Sequence, residues 1–151
     1  MPKSPRSPRI TRAQIVAEAR AWLGTPFHHQ ACLRGVGVDC AQMVIAVARA
    51  VGYVPEQFAV GGYAQRPEPG IILETLGQWC RQIALAEALP GDILVLRWER
   101  DPAHLAIVTE TDPLRIIHCY APRGKGGVVE HIVDDTWRWR IVSAWRLRNV
   151  R

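Results

Sequence analysis

Apolar residues recur at helical spacing in the first half of the chain and at strand spacing in the second. Ile15, Ala19, Trp22 and Leu23 share one face of a helix predicted over 11–23. Thr11, with Gln14 three residues on, has the pattern of a capping box, and the segment GTPF that follows stops the helix. Residues 24–38 read as a loop. Asp39 is placed to cap a second helix, with Gln42 three residues on. Met43, Val44, Val47, Ala48 and Val51 give that helix one apolar face, and Gly52 ends it. Residues 53–70 are rich in Gly and Pro and read as irregular. A third helix is predicted over 71–86, with Ile72, Leu76, Trp79 and Ile83 inward. The period then drops to two. PGDILVLRW is a turn followed by a strand over 92–98, and HLAIVTE, LRIIHCY, GGVVEHIV and IVSAWRLR give four more. Helices first and an antiparallel meander after them predict an α+β domain.

Composition narrows the class. With 48% hydrophobic and 22% charged residues, the 151-residue chain has the make-up of one ordinary globular domain. We place it over 10–151, behind a flexible basic arm over 1–9 that is rich in Pro, Ser, Lys and Arg. The formal net charge of +5 favours an anionic partner. The cations are scattered, however, and no nucleic-acid signature accompanies them, so nucleic-acid recognition is not expected. The basic N-terminus is not followed by the apolar run of a secretory signal, and no stretch approaches the length of a membrane span. Neither feature is therefore expected. Synthesis in a reducing cytoplasm would leave Cys32, Cys40, Cys80 and Cys119 as thiols.

Cys40 differs from the other three in its place. It opens the second helix, where unpaired backbone N–H groups and the helix dipole favour a thiolate. That position predicts a lowered thiol pKa, and donors for an oxyanion formed when the thiolate attacks a carbonyl. Cys32, Cys80 and Cys119 read as small buried thiols. A thiolate nucleophile needs a base, usually His. A hairpin centred on Thr111 would set His104 opposite His118, Ala106 opposite Ile116 and Val108 opposite Leu114. His104 would then be the base and His118 the residue that orients it. His28, His29 and His131 read as loop or surface residues. The competing reading is metal. The spacing of His28, His29, Cys32 and Cys40 matches no common structural zinc pattern, so no metal and no cofactor are expected.

These segments together resemble a known family. GTPFHHQACLRGVGVDCAQMV, LPGDILVLRW, HLAIVTE and IIHCYAPRGKGGVVEHIV look like the successive motifs of the NlpC-type cell-wall peptidases. The resemblance runs from Ile10 to Leu147. The loop HHQACLRGVGVDC and the ending WRWRIVSAWRL are most similar to versions encoded in tail operons of phages and gene transfer agents. The resemblance implies a papain-like fold, with N-terminal helices presenting the cysteine on a five- to six-stranded antiparallel sheet. It also implies Cys40 as nucleophile, His104 as general base and His118 as third polar residue. The implied reaction is hydrolysis of amide bonds in the peptide stems of peptidoglycan, between D-glutamate and the diamino acid. Partners would be those stems and the proteins of a phage-like tail tip or baseplate. The enzyme would be made in a bacterial cytoplasm and act in the wall of a target cell. Phe27 stands where the family usually has a Tyr whose hydroxyl faces the site, and Ala41-Gln42 stand where cellular members have Ser-Gly. Phe27, Gln30 and Asp39 are accordingly the substrate or oxyanion candidates, Gln30 as a substitute donor. Two alternatives remain open: a silent structural tail-tip protein of the same fold, and another thiol-dependent amidase or acyltransferase.

Overall fold

The computed structural model describes residues 9–59 and 69–151. The arm over 1–9 therefore lies, except for Arg9, outside the described residues, as does 60–68 of the segment read as irregular.

The first helix, α1 (Arg12–Arg20), has the capping box expected of it. The Thr11 hydroxyl accepts the Gln14 N–H at 3.2 Å, and Gln14 Oε1 accepts the Thr11 N–H at 2.9 Å. Ile15, Val16 and Ala19 are its buried face. The stretch read as loop contains a short hairpin, β1 (Cys32–Leu33) with β2 (Gly37–Val38). β2 is fixed on both sides. Val38 donates to Pro26 and accepts from His28, and the buried Cys119 thiol donates to the Val38 carbonyl at 3.3 Å. These ties hold the start of the next helix, α2 (Cys40–Ala50), in place.

The third helix is shorter than predicted. α3 (Pro69–Trp79) stops at Trp79, and Cys80–Ile83 is a strand, β3. The Trp79–Ile83 spacing suits a helix, but an edge of the sheet is on offer. Cys80 pairs with Leu147 and Ile83 with Ala144, so the ladder captures the backbone. The remaining strands are β4 (Ile93–Arg97), β5 (Pro102–Thr111), β6 (Leu114–Tyr120), β7 (Gly127–Ile132) and β8 (Ile141–Leu147). A short helix the sequence reading did not contain, α4 (Asp135–Arg140), precedes β8, with Asp134 accepting the Trp137 N–H as its cap. The six strands form one antiparallel sheet in the order β3-β8-β4-β5-β6-β7.

Alternation along the strands feeds two cores. Ile93, Val95, Leu105, Ile107, Ile117 and Leu147 meet Ile15, Met43, Val47 and Leu76 from the helices. On the opposite face Leu94, Leu96, Ala106, Val108, Ile116 and Ala144 meet Trp137 of α4. Both faces of β4 and β5 are thus covered, which is why their central residues are buried without a break. Each large aliphatic side chain so buried contributes about 1.5–3 kcal/mol.

A buried ion cluster joins the elements around β4. Asp92 is 1% exposed. Its carboxylate accepts from Arg12 Nη1 at 2.9 Å, from Arg146 Nε at 3.1 Å and Nη2 at 2.8 Å, and from the Leu89 N–H at 2.9 Å. The charge is compensated on every side, as a buried carboxylate requires.

Candidate active site

Cys40 stands where a helix start meets an opening in the sheet. Asp39 caps α2 through Oδ1, which accepts the Gln42 N–H at 2.8 Å, while Oδ2 accepts the Gln30 N–H at 2.7 Å. The same carboxylate lies 3.8 Å from His29 Nδ1. One side chain thereby clamps the preceding loop to the first turn of the helix. On the sheet side, the β5–β6 ladder runs as far as Ile107 opposite Ile117. Past that pair, the Leu105 N–H is directed to the Cys40 sulfur. The N–H groups of Ala41 and of Cys40 itself also face the sulfur.

The thiol pKa moves opposite to the expectation. Burial pushes Cys40 up to about 11, and the charge of Asp39 adds to the rise. The three N–H groups act against this and lose. A helix start stabilises a thiolate, but here the cost of burying the charge is the larger effect. Cys40, half-buried at the cleft, is thus biased toward the neutral thiol.

His104, on β5, shares a cleft of about 400 Å³ with Cys40. It touches His118 of β6, with His104 Nε2 2.6 Å from His118 Nδ1. The hairpin register differs from the one expected. Val108 faces Ile116 and Ile107 faces Ile117, so the strands are offset by two residues from the predicted pairing. A bulge between Val108 and Glu110 accompanies the offset. A shift of two keeps every side chain on its face, so the two histidines meet diagonally instead of directly. The same diagonal step recurs on the next strand. His118 faces Val129 of β7, and His131 lies two residues further along the same face. His118 Nε2 is 2.8 Å from His131 Nε2, and His131 Nδ1 is 2.9 Å from the Ile132 carbonyl oxygen. Three histidines from three adjacent strands therefore form one hydrogen-bonded row.

His131 read as a surface residue in the sequence. The signal for it is the alternation in GGVVEHIV, which becomes informative only once the β6–β7 register is known. Aromatic rings cover the row. Trp98 lies 4.7 Å from His104 between ring centroids, Tyr120 stacks on His118 at 5.6 Å, and Trp137 contacts both His118 at 5.0 Å and His131 at 4.8 Å. His104 is 3% exposed and His118 fully buried. Burial lowers the pKa of His104 to about 3. Burial also lowers that of His118, helped by the neighbouring His104 and His131. Both are neutral at pH 7.

The nitrogen spacings mark hydrogen bonds. Two ligand nitrogens on one tetrahedral zinc, each about 2.0–2.1 Å from it, sit roughly 3.4 Å apart. Among the described residues no group of three or more His, Cys, Asp or Glu side chains is arranged to hold a metal ion.

Of the other candidates, Phe27 lines the cleft and brings no hydroxyl to it. Its backbone is held to the residue just before β7, with the Phe27 N–H donating to the Gly126 carbonyl at 2.9 Å. A Cβ on Gly127 would collide with the Thr25 carbonyl, so this close approach depends on glycine. Gln30 and Asp39 sit in and beside the clamp before α2 and are not part of the cleft wall. The wall does include Arg123 and Arg140, which the sequence reading left among the scattered cations.

No protein-family model and no curated protein matches the chain. Solved structures do. The NlpC/p60 domain of the peptidoglycan hydrolase SagA superposes with a TM-score of 0.65 and 23% identity, covering 91% of this chain and 100% of that one. An NlpC/P60 family protein from Bacillus cereus gives 0.67 and 15%, covering 93% of this chain and 41% of its own. The peptidoglycan hydrolase RipB from Mycobacterium tuberculosis gives 0.61 and 14%, covering 93% and 65%. The chain thus spans all of the first and less than half of the second. At these identities the likeness establishes the fold: an α+β domain of the NlpC/P60 type.

Proposed function

We propose that the protein is a cysteine peptidase that hydrolyses amide bonds in the peptide stems of peptidoglycan. The observation that carries the reading is the meeting of Cys40 with His104 in one cleft, with His104 hydrogen-bonded to His118. Because burial disfavours both charged forms, the thiolate is made during attack. His104 takes the thiol proton as sulfur bonds to the carbonyl carbon, and the carbonyl oxygen becomes an oxyanion. The N–H groups of Cys40 and Ala41 are its donors, in place of a hydroxyl that Phe27 lacks. The tetrahedral species collapses as the C–N bond breaks and His104 returns the proton to the leaving amine. Water, deprotonated by His104, then attacks the thioester, and the acid leaves as the thiol is restored. Arg123 and Arg140 on the cleft wall favour a peptide that carries carboxylates. The substrate reading draws further support from the structural neighbours that are themselves peptidoglycan hydrolases.

Incubation with purified sacculi tests it: new free amines should appear with the native chain and be absent with Cys40→Ser. No release by the native chain would overturn the hydrolase and leave a silent structural protein. Transfer of an acyl group to an added amine without hydrolysis would favour an acyltransferase.

Delivery on a phage-like tail is part of the proposal. Its support is the likeness of the 28–40 loop and the 137–147 ending to tail-operon versions. Particles carrying Cys40→Ser should assemble and adsorb normally and deliver DNA poorly into cells with intact walls. Purified particles lacking the protein would contradict the tail role.

A further inference from the structure

The row of histidines has a direction, and its outer end sets it. A carbonyl oxygen only accepts, so the 2.9 Å contact to Ile132 requires the proton of His131 on Nδ1. In neutral His131 that leaves a lone pair on Nε2. His118 then donates from Nε2 across the 2.8 Å contact, and its Nδ1 carries the lone pair. His104 in turn donates from Nε2 across the 2.6 Å contact, and the lone pair of the whole row emerges on His104 Nδ1. A base needs that lone pair. With His118 neutral and alone, nothing would fix which of its nitrogens holds the proton. In the other tautomer His118 Nδ1–H would meet His104 Nε2 as a donor and would drive the proton of His104 onto Nδ1, where it blocks the base.

We propose that His131 is a positioning residue for the reaction: anchored by the Ile132 carbonyl, it selects through His118 the tautomer of His104 that can accept a proton from Cys40. This rests on the reading of Cys40 and His104 as nucleophile and base. His131 touches neither the sulfur nor the cleft and acts only through His118. Tyr120 and Trp137 pack against the row from the sides, and rings without a charge leave the selection to hydrogen bonding.

The test compares His131→Leu with His131→Gln in the full chain. Leucine keeps bulk and offers no acceptor; the glutamine amide oxygen can accept from His118 Nε2–H. The first readout is the ring ¹⁵N spectrum of labelled histidine at pH 7, which separates Nε2–H from Nδ1–H. The native chain should show His104 and His118 as Nε2–H. His131→Leu should mix the tautomers of both, and His131→Gln should restore them. The second readout is release of amines from sacculi. His131→Leu should lose about 10-fold in kcat, a part of the 100- to 10,000-fold that a general base contributes, and His131→Gln should recover most of it. Unchanged tautomers in His131→Leu would overturn the proposal, whatever the activity. Equal loss in both variants with native-like tautomers would do the same and make the role structural. Tautomers that shift as expected in the variants, when the native chain hydrolyses nothing, would uphold the relay and refute the reaction.

Discussion

Two buried polar clusters lie on neighbouring strands, and they solve the cost of burial in opposite ways. Around Asp92 the charge is kept and surrounded: two guanidinium groups and a backbone N–H meet one carboxylate. Around His118 burial disfavours the charge on His104 and His118, and three imidazoles are hydrogen-bonded in a row roofed by Trp98, Tyr120 and Trp137. The ionic cluster ties α1 and β8 to the residue before β4, and has no proton to give. The neutral row holds its protons in hydrogen bonds and presents a lone pair at one end. A compensated charge suits the fold; a chain of donors and acceptors without charge is suited to the proposed proton transfer.

The comparison breaks if the two clusters can be exchanged in their effects. His104→Ala should lower amine release from sacculi by 100-fold or more, the usual worth of a general base, and cost about 1–2 kcal/mol of stability. Asp92→Ala should do the reverse. It leaves Arg12 and Arg146 without their carboxylate and should cost about 3–5 kcal/mol in urea unfolding, while the folded fraction keeps its turnover. A variant of Asp92 that folds normally and loses turnover would contradict the division.

Both features of the candidate site that depend on local chemistry were legible in the sequence. The Asp39 cap with Gln42 sets where α2 begins, and so sets Cys40 at the helix start; neighbours a few residues away suffice. The face shared by His104 and His118 was legible for a similar reason. Strand alternation survives a register error of two, so the contact stood although the pairing shifted. What failed depended on distant partners. β3 was hidden because Cys80–Ile83 continues a helical pattern until the edge of β8 is present to capture it. The direction of the thiol pKa shift was not legible because the helix start is local, whereas the burial that raises it comes from tertiary packing that no short window contains. His131 required the β6–β7 register, which no short window contains.

A second contrast lies in acid. His104 and His118 have folded pKa values below the ordinary value of about 6.5, so the unfolded chain binds more protons than the folded one once the pH drops under that value. Their contribution is complete above pH 6.5 and is lost as the pH falls toward their folded values. Stability should decline by about 1.4 kcal/mol per pH unit for each histidine that must unfold to protonate. Urea midpoints at pH 7, 6 and 5 measure this, and His118→Asn should make the decline shallower. A decline of the same steepness in His118→Asn would show that other groups cause it.

The smallest expected change tests the cleft wall. Phe27→Tyr returns a hydroxyl beside backbone donors that already face the sulfur, so kcat should rise by only a few-fold. A gain approaching the 100-fold or more typical of an oxyanion donor would mean that the Cys40 and Ala41 N–H groups contribute little.

The proposed proton transfer during attack is tested most directly by the ionisation of Cys40. The thiolate absorbs near 240 nm, and the difference between the native chain and Cys40→Ser isolates Cys40 from Cys32, Cys80 and Cys119. No difference is expected at pH 7, and the thiolate signal should grow only as the pH approaches about 11. A full thiolate difference at pH 7, lost in His104→Ala, would contradict this and show a preformed ion pair in place of a proton that moves on attack.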